Sequence, residues 1–461
     1  MGSWCAENLR DVQAWKDEGL PTTTVNNESA KLYDAVLRQL VSWIDCEQVG
    51  GLMKSMEDLQ KAEPESVLAR CLLYGIEALG SNTSVIKNNE FKQNIDNLVN
   101  DAHKYGNSRE QQHSEAVKCF AYGDMSKACS IWEDILKQYP NDLMAIKFAH
   151  DGYFFQGDAK GKLTSVSRVI DKWDSSKPCY GYLYGIQAFG YEENLDYENG
   201  KKSGFKGLEY NKQDAWSTHA IAHCHEMLGE YEDGIKFMES TVNNWEPCWM
   251  IACHNFWHNA LFYIEKGDYE SALTIYDEQI GRRSKSGAML DLVDAASLLQ
   301  RLKMEKFDVG KERWAFLIDL LEPHHDNHTL AFNDAHIAMV YSNCDDSKTK
   351  ELLDSINNFD SPSQQGRIVG NVGRIICEAV DSYNADRFNE CFDKLFPIRH
   401  DIYTIGGSNA QRDVFNQIIV RSGLMSTSAQ HNELVKTAIE ERRTLKVHSP
   451  LMDRIVRQFL K

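Results

Sequence analysis

The chain has 461 residues, 42% of them hydrophobic, and a formal net charge of −18. An acidic surface of that size repels phosphate backbones, so nucleic acid is excluded as an expected partner. With 9 prolines, 29 glycines and almost no alternating apolar–polar runs, the composition points to an all-α protein.

No stretch reaches about 18 apolar residues, and the first residues lack an apolar run, so neither a membrane span nor a secretory leader is expected. Gly2 stands at the acceptor position for N-myristoylation, with Cys5 close by for palmitate, but Ala6 replaces the Ser or Thr that the motif prefers. An ordinary N-terminus is the competing reading. Twelve cysteines include no C-x-x-C pair. Cys119, Cys129, Cys253 and Cys377 fall inside helical patterns, which suits buried, reduced thiols and a cytoplasmic location.

The first long helix is predicted from Asn27 to Leu40, where apolar residues recur at i, i+3, i+4 and i+7. A repeat then sets in. Gly123-Asp124 forms a turn, Ala128 and Trp132 follow at five and four residues, and Pro140 closes the unit. This is a tetratricopeptide layout: the small residue lets two helices approach and the large one fills the gap. The turn recurs at Gly157-Asp158, near Asn194, at Gly229 and at Gly267-Asp268, with intervals of 34, about 37, about 35 and 38 residues. Helical patterns continue over Met289–Leu302, Lys311–Leu321, Thr329–Tyr341, Ser347–Ile356, Ile368–Tyr383, Asn409–Ile419 and Glu433–Leu445. The prolines fall between these segments rather than inside them. The expected architecture is a tetratricopeptide-type solenoid of helix pairs, a right-handed superhelix curled around a cavity. Residues 1–112 would cap it, 113–345 would form the repeats and 346–461 would supply further helical repeats and a cap.

Chemistry-bearing residues concentrate in two repeats. In each repeat the first helix lines the concave face. Counting back from the turn glycine at about 100° per residue places Trp216, His219, His223 and Glu226 on that face in one repeat, and His254 and Trp257 in the next. His258 lies about 40° from His254 and can join them; His225 points the opposite way. In an earlier repeat the same count gives Lys147 and Asp151. Asp291, Asp294 and His336 follow on later segments, at the border of the same cavity if the superhelix closes.

Three readings compete for this cluster. His219, His223, Glu226 and His254 have the donor types and the H-x-x-x-H spacing of a zinc, iron or manganese site, although no H-E-x-x-H motif is present. Alternatively, His219 and His223, with Asp151 or Asp294 as an added base, are acid–base groups of a hydrolytic or metal-assisted enzyme. Thirdly, Lys147, Asp151, Trp216, His219, His223, Glu226, His254, Trp257, His258 and His336 line a groove that binds a small molecule or a peptide end, or serves as a protein-interaction scaffold. Toward the C-terminus, Gly406-Gly407-Ser408-Asn409 reads as a turn and N-cap, and Arg412 on the following first turn would suit a carboxylate or phosphate. Pro323 to His328 reads as an exposed loop, with an inward-facing His328 as the alternative.

Several of these stretches, Arg10 to Asp17, Lys147 to Asp151, Asp214 to Met227, Ala252 to His258, Phe332 to His336 and Gly406 to Gln417, resemble the tetratricopeptide repeat protein 38 family over nearly the whole chain. The resemblance implies one all-helical repeat unit. It implies no activity and no catalytic residue.

Overall fold

The computed structural model describes residues 2–459. Every regular element among them is helical. The repeats are visible as consecutive pairs: Ser108–Ala121 with Met125–Gln138, Leu143–Phe155 with Ala159–Ser167, Tyr182–Glu193 with Tyr197–Tyr210, Ala215–Leu228 with Tyr231–Trp245, and Trp249–Lys266 with Tyr269–Ile275. The turn in four of these pairs rests on a glycine in the left-handed region, at φ 81° for Gly123, 64° for Gly157, 73° for Gly229 and 87° for Gly267. In the pair that turns near Asn194 the left-handed residue is Leu195, at φ 64°. Asp158, Asp196 and Asp268 then cap the second helix by accepting a backbone N–H three residues on.

The helices that position functional candidates are α1 (Asn27–Ser42), α2 (Leu143–Phe155), α3 (Tyr182–Glu193), α4 (Ala215–Leu228), α5 (Tyr231–Trp245), α6 (Trp249–Lys266), α7 (Met289–Met304), α8 (Ala331–Tyr341), α9 (Asn409–Met425) and α10 (Ala429–Leu445).

Two compact units divide the chain. One holds residues 1–154, 158–221 and 242–252; the other holds 155–157, 222–241 and 253–461. Neither follows the divisions at 112 and 345 drawn from the sequence. In the first unit Ala128 and Trp132 are fully buried, and the Trp132 ring meets Phe120 at 5.6 Å and Phe148 at 5.5 Å. This is the small-residue, large-residue packing that the repeat requires. A buried triad ties the start of α2 to the preceding pair. Asp142 Oδ2 accepts from Arg109 Nε at 2.6 Å and lies 2.8 Å from His113 Nε2, while its Oδ1 caps α2 through Ala145 N at 3.0 Å. In the second unit the packing residues Ala272 and Tyr276 are likewise buried.

The prolines are not all between helices. Pro397 lies inside the helix Phe388–Ile398. Its missing N–H removes one intrahelical bond, and the helix ends one residue later. Pro450 opens the helix Pro450–Phe459, a position that suits proline's fixed φ. All twelve cysteines are free, and Cys344 is the exposed one. Gly2 is buried against Ile44, while Met1 lies outside the described residues. No helix is long and apolar enough to cross a membrane, among the residues described.

Candidate functional site

In the second unit His223 on α4 and His254 and His258 on α6 come together. Each offers a ring nitrogen, and these nitrogens lie within 4.8 Å of one another. His223 and His258 are 4.2 Å apart at 59°, and His254 and His258 are 4.8 Å apart at 82°. His223 and His258 are fully buried, and His254 is 4% exposed.

Carboxylates hold two of these rings from behind. His258 Nδ1 lies 2.9 Å from Glu226 Oε2, one turn beyond His223 on α4. His254 Nδ1 lies 2.6 Å from Asp294 Oδ2 on α7. Each carboxylate accepts the Nδ1–H, which fixes the tautomer and makes Nε2 the acceptor nitrogen of the ring. Trp257, expected in a groove, is fully buried and stacks on His254 at 5.2 Å and 12°, so it sets that ring's plane.

Behind the carboxylates lies a layer of charge. Lys446 Nζ is 3.1 Å from Glu265 Oε2 and 4.0 Å from Glu226 Oε1. Arg442 grips Asp413 with two bonds of 2.8 Å, and Arg301 on α7 stands 3.7 Å from the same carboxylate. Burial pushes the Glu226 carboxyl up, against the pull of Lys446 and Arg301. Burial also pushes Asp291 up, to about 7, and the neighbouring Asp294 adds to it. Gln411 Nε2 on α9 donates to Asp294 Oδ1 at 3.4 Å.

The other expected residues have partners of their own. His219 shares a face of α4 with His223, one turn earlier, and belongs to the first unit. There it stacks on Trp216 at 4.5 Å, and Trp216 stacks on Trp43 at 5.3 Å. Lys147 donates to Asp151 Oδ1 at 3.0 Å and sits 4.3 Å from the centre of the Trp43 ring. That pairing satisfies both charges locally. His150, beside Asp151 on α2, is buried among the same rings, 5.7 Å from Trp216 and 5.8 Å from Phe189. Burial, with Lys147 and Lys162 nearby, holds its imidazole neutral by pushing its pKa well below the usual value. His336 is buried on α8, where its Nδ1 donates to Phe332 O at 2.8 Å. Arg412 has contacts within its own turn. It donates to the carbonyls of Gly406 and Gly407 and to Asn409 Oδ1, and so braces its own turn. Ser408 and Gln411 form the capping box of α9. His328, at the end of the histidine-rich loop, is buried and lies 3.1 Å from Asp334 and 2.8 Å from Ser355.

Sequence reasoning missed Arg301, Arg442, Lys446, Glu265 and Asp413 as partners of the cluster. Arg301 had a signal, because it stands seven residues after Asp294 on one helix and so shares its face. Lys446 had none: it meets Glu265 across about 180 residues of chain.

No family model matches the sequence. Among solved structures the chain is similar to that described as the APC/C hetero-tetramer Cut9–Hcn1, at 11% identity over 98% of this chain and 89% of that one, with a TM-score of 0.38. It is also similar to the P58(IPK) TPR domain, at 12% identity over 74% of this chain and 98% of that one, with a TM-score of 0.19. The likeness is too distant to bear on partners or mechanism, and the helix-pair fold rests on the helices described above.

Proposed function

We propose that this helix-pair repeat protein is a binding protein and that its binding centre is the histidine–carboxylate cluster of α4, α6 and α7. The observation that supports the reading is the convergence of His223, His254 and His258 with their carboxylate anchors inside a packed unit. Helix pairs pack through small and large apolar residues and have no need of buried imidazoles and carboxylates. Removing such groups from water costs several kcal/mol unless something compensates. Their burial favours a small occupant, an ion or compact polar molecule, over an extended peptide, and it weighs against the enzyme reading, which needs substrate access. Membership of the tetratricopeptide repeat protein 38 family is part of the same proposal, supported by motifs spread along the chain.

A thermal melting screen against cations and small polar metabolites tests it. A ligand at 100 times its Kd adds about 2.7 kcal/mol, a shift of several degrees that Asp294→Asn should reduce. A screen with no shift from any ligand class sinks the reading.

One further observation favours a second reading, a surface that meets another protein. In the first unit Tyr180, Tyr184 and Tyr210 pack together, with Tyr184 and Tyr210 stacked at 5.7 Å and Lys206 4.2 Å from the Tyr184 ring. Tyr210 is 49% exposed, and Phe205 on the same helix 45%. Exposed tyrosines of this kind anchor protein interfaces. Loss of a co-purifying partner in Tyr210→Ala would support that reading, and an unchanged set of partners would count against it.

A further inference from the structure

We infer that the occupant of this centre is a divalent transition-metal ion, with His223, His254 and His258 as its protein ligands and Glu226 and Asp294 as the groups that orient the rings. The inference rests on the binding reading above and names the ligand. It changes the donor set expected from the sequence: His258 is a ligand, and Glu226 stands behind it.

Three observations carry it. First, the Nδ1 atoms of His254 and His258 are each bonded to a carboxylate, so Nε2 is the atom by which each ring would serve as a ligand. A carboxylate behind a histidine is the recurring way in which metal-binding imidazoles are aimed and made more basic. Secondly, the geometry is close to what coordination needs. Tetrahedral nitrogens at about 2.05 Å from zinc stand about 3.3 Å apart, and these nitrogens lie within 4.8 Å. Inward movement of each ring by about 1 Å closes that gap. Thirdly, the carboxylates that orient the rings are themselves held: Asp294 Oδ1 accepts from Gln411 Nε2 at 3.4 Å, and Glu226 Oε1 lies 4.0 Å from Lys446 Nζ, so each ring has a fixed anchor behind it.

Three imidazoles without a thiolate match zinc and its neighbours among the divalent ions, and they do not match calcium or magnesium, which take oxygen ligands.

The test uses the full-length protein, made without a histidine tag and kept away from chelating resin. Elemental analysis is followed by titration of the metal-free protein with zinc and with cobalt. The expected result is one equivalent of metal and a cobalt absorption spectrum typical of nitrogen ligands without thiolate bands. Glu226→Gln should bind about 10–100-fold more weakly while melting near the parent temperature. His258→Ala should lose the metal, and the cobalt spectrum of the parent protein keeps the test decisive if that variant fails to fold. Less than a tenth of an equivalent, with no uptake of zinc or cobalt at about 0.1 mM, overturns the inference. If a small molecule still shifts melting, the binding reading survives without the metal. If neither binds, both fall.

Discussion

Glu226 Oε2 accepts from His258 Nδ1 at 2.9 Å, joining the first helices of two consecutive repeats inside the same unit. A carboxylate on Nδ1 leaves one tautomer. The parent protein should show His258 with its proton on Nδ1, measurable by long-range nitrogen–proton NMR. Glu226→Gln keeps the size and an acceptor oxygen but removes the charge, so the preference should weaken. Lys446 keeps its 3.1 Å contact with Glu265, so the fold should lose no more than about 1 kcal/mol. A proton found on Nε2 in the parent protein would contradict the assignment of ligand atoms.

In the first unit the buried Arg109 depends on one carboxylate. Asp142 lies 2.6 Å from its Nε, and both side chains are at most 1% exposed. Arg109 and His113 together hold the Asp142 carboxyl far below its usual range, against the opposing effect of burial. Asp142→Ala strands the guanidinium and uncaps α2, and should cost about 3–5 kcal/mol in chemical denaturation. Arg109→Met with Asp142→Ala should recover part of that loss, because no buried charge is left unpaired. A single Asp142→Ala variant within about 1 kcal/mol of the parent would show the triad to be dispensable.

These interactions differ in how far they can be read from the chain. Gly123, Gly157, Gly229 and Gly267 mark turns because a left-handed backbone favours glycine, and each has the expected positive φ. Leu195 does the same work without that signal. Helical register was enough to put His223, His254 and Glu226 on converging faces, and the structure brings them together. Register has no information on side-chain reach, so it offered Glu226 as a metal ligand when its oxygen is bonded to the back of His258. Arg412 illustrates the same limit: register placed it on a first helical turn but gave no sign that it would donate to the Gly406 and Gly407 carbonyls of the preceding loop. The pairing of Lys446 with Glu265, and of Leu451 N with the same carboxylate at 3.1 Å, depends on how distant segments fold back, for which no local pattern exists.

Asp214 gives a pH-dependent test. It caps α4, accepting from Trp216 N at 3.0 Å and Ser217 N at 2.9 Å. Burial nevertheless pushes its carboxyl up to about 6, with the Ser217 and Trp216 bonds opposing. A group raised on folding holds its proton more tightly when folded. Its contribution is therefore complete below the unfolded value near 3.8 and is lost as pH rises through about 6. Asn at 214 still caps the helix and cannot ionise. Asp214→Asn should match the parent near pH 4 and exceed it near pH 7.5 by on the order of 2 kcal/mol. Urea unfolding at both pH values measures the difference. Parallel curves for the two proteins would mean that Asp214 ionises freely in the folded state.

Gly229 and Gly267 occupy equivalent turns but differ in their neighbours. Both have positive φ, 73° and 87°. A methyl group at Gly267 would meet the Arg454 guanidinium no closer than 3.4 Å, the end of a movable side chain. At Gly229 it would overlap the backbone carbonyl of His448, which cannot yield without moving the C-terminal segment. That segment carries Lys446, the cation beside Glu226 and Glu265. Gly267→Ala should cost about 1 kcal/mol, the strain of a left-handed alanine. Gly229→Ala should cost more and should free residues near 448 to exchange amide hydrogens faster. If the centre is a metal site, it should also weaken metal binding, because displacing Lys446 changes the charge behind His258. Equal effects of the two substitutions on stability would mean that contact with His448 contributes nothing beyond the backbone strain common to both turns.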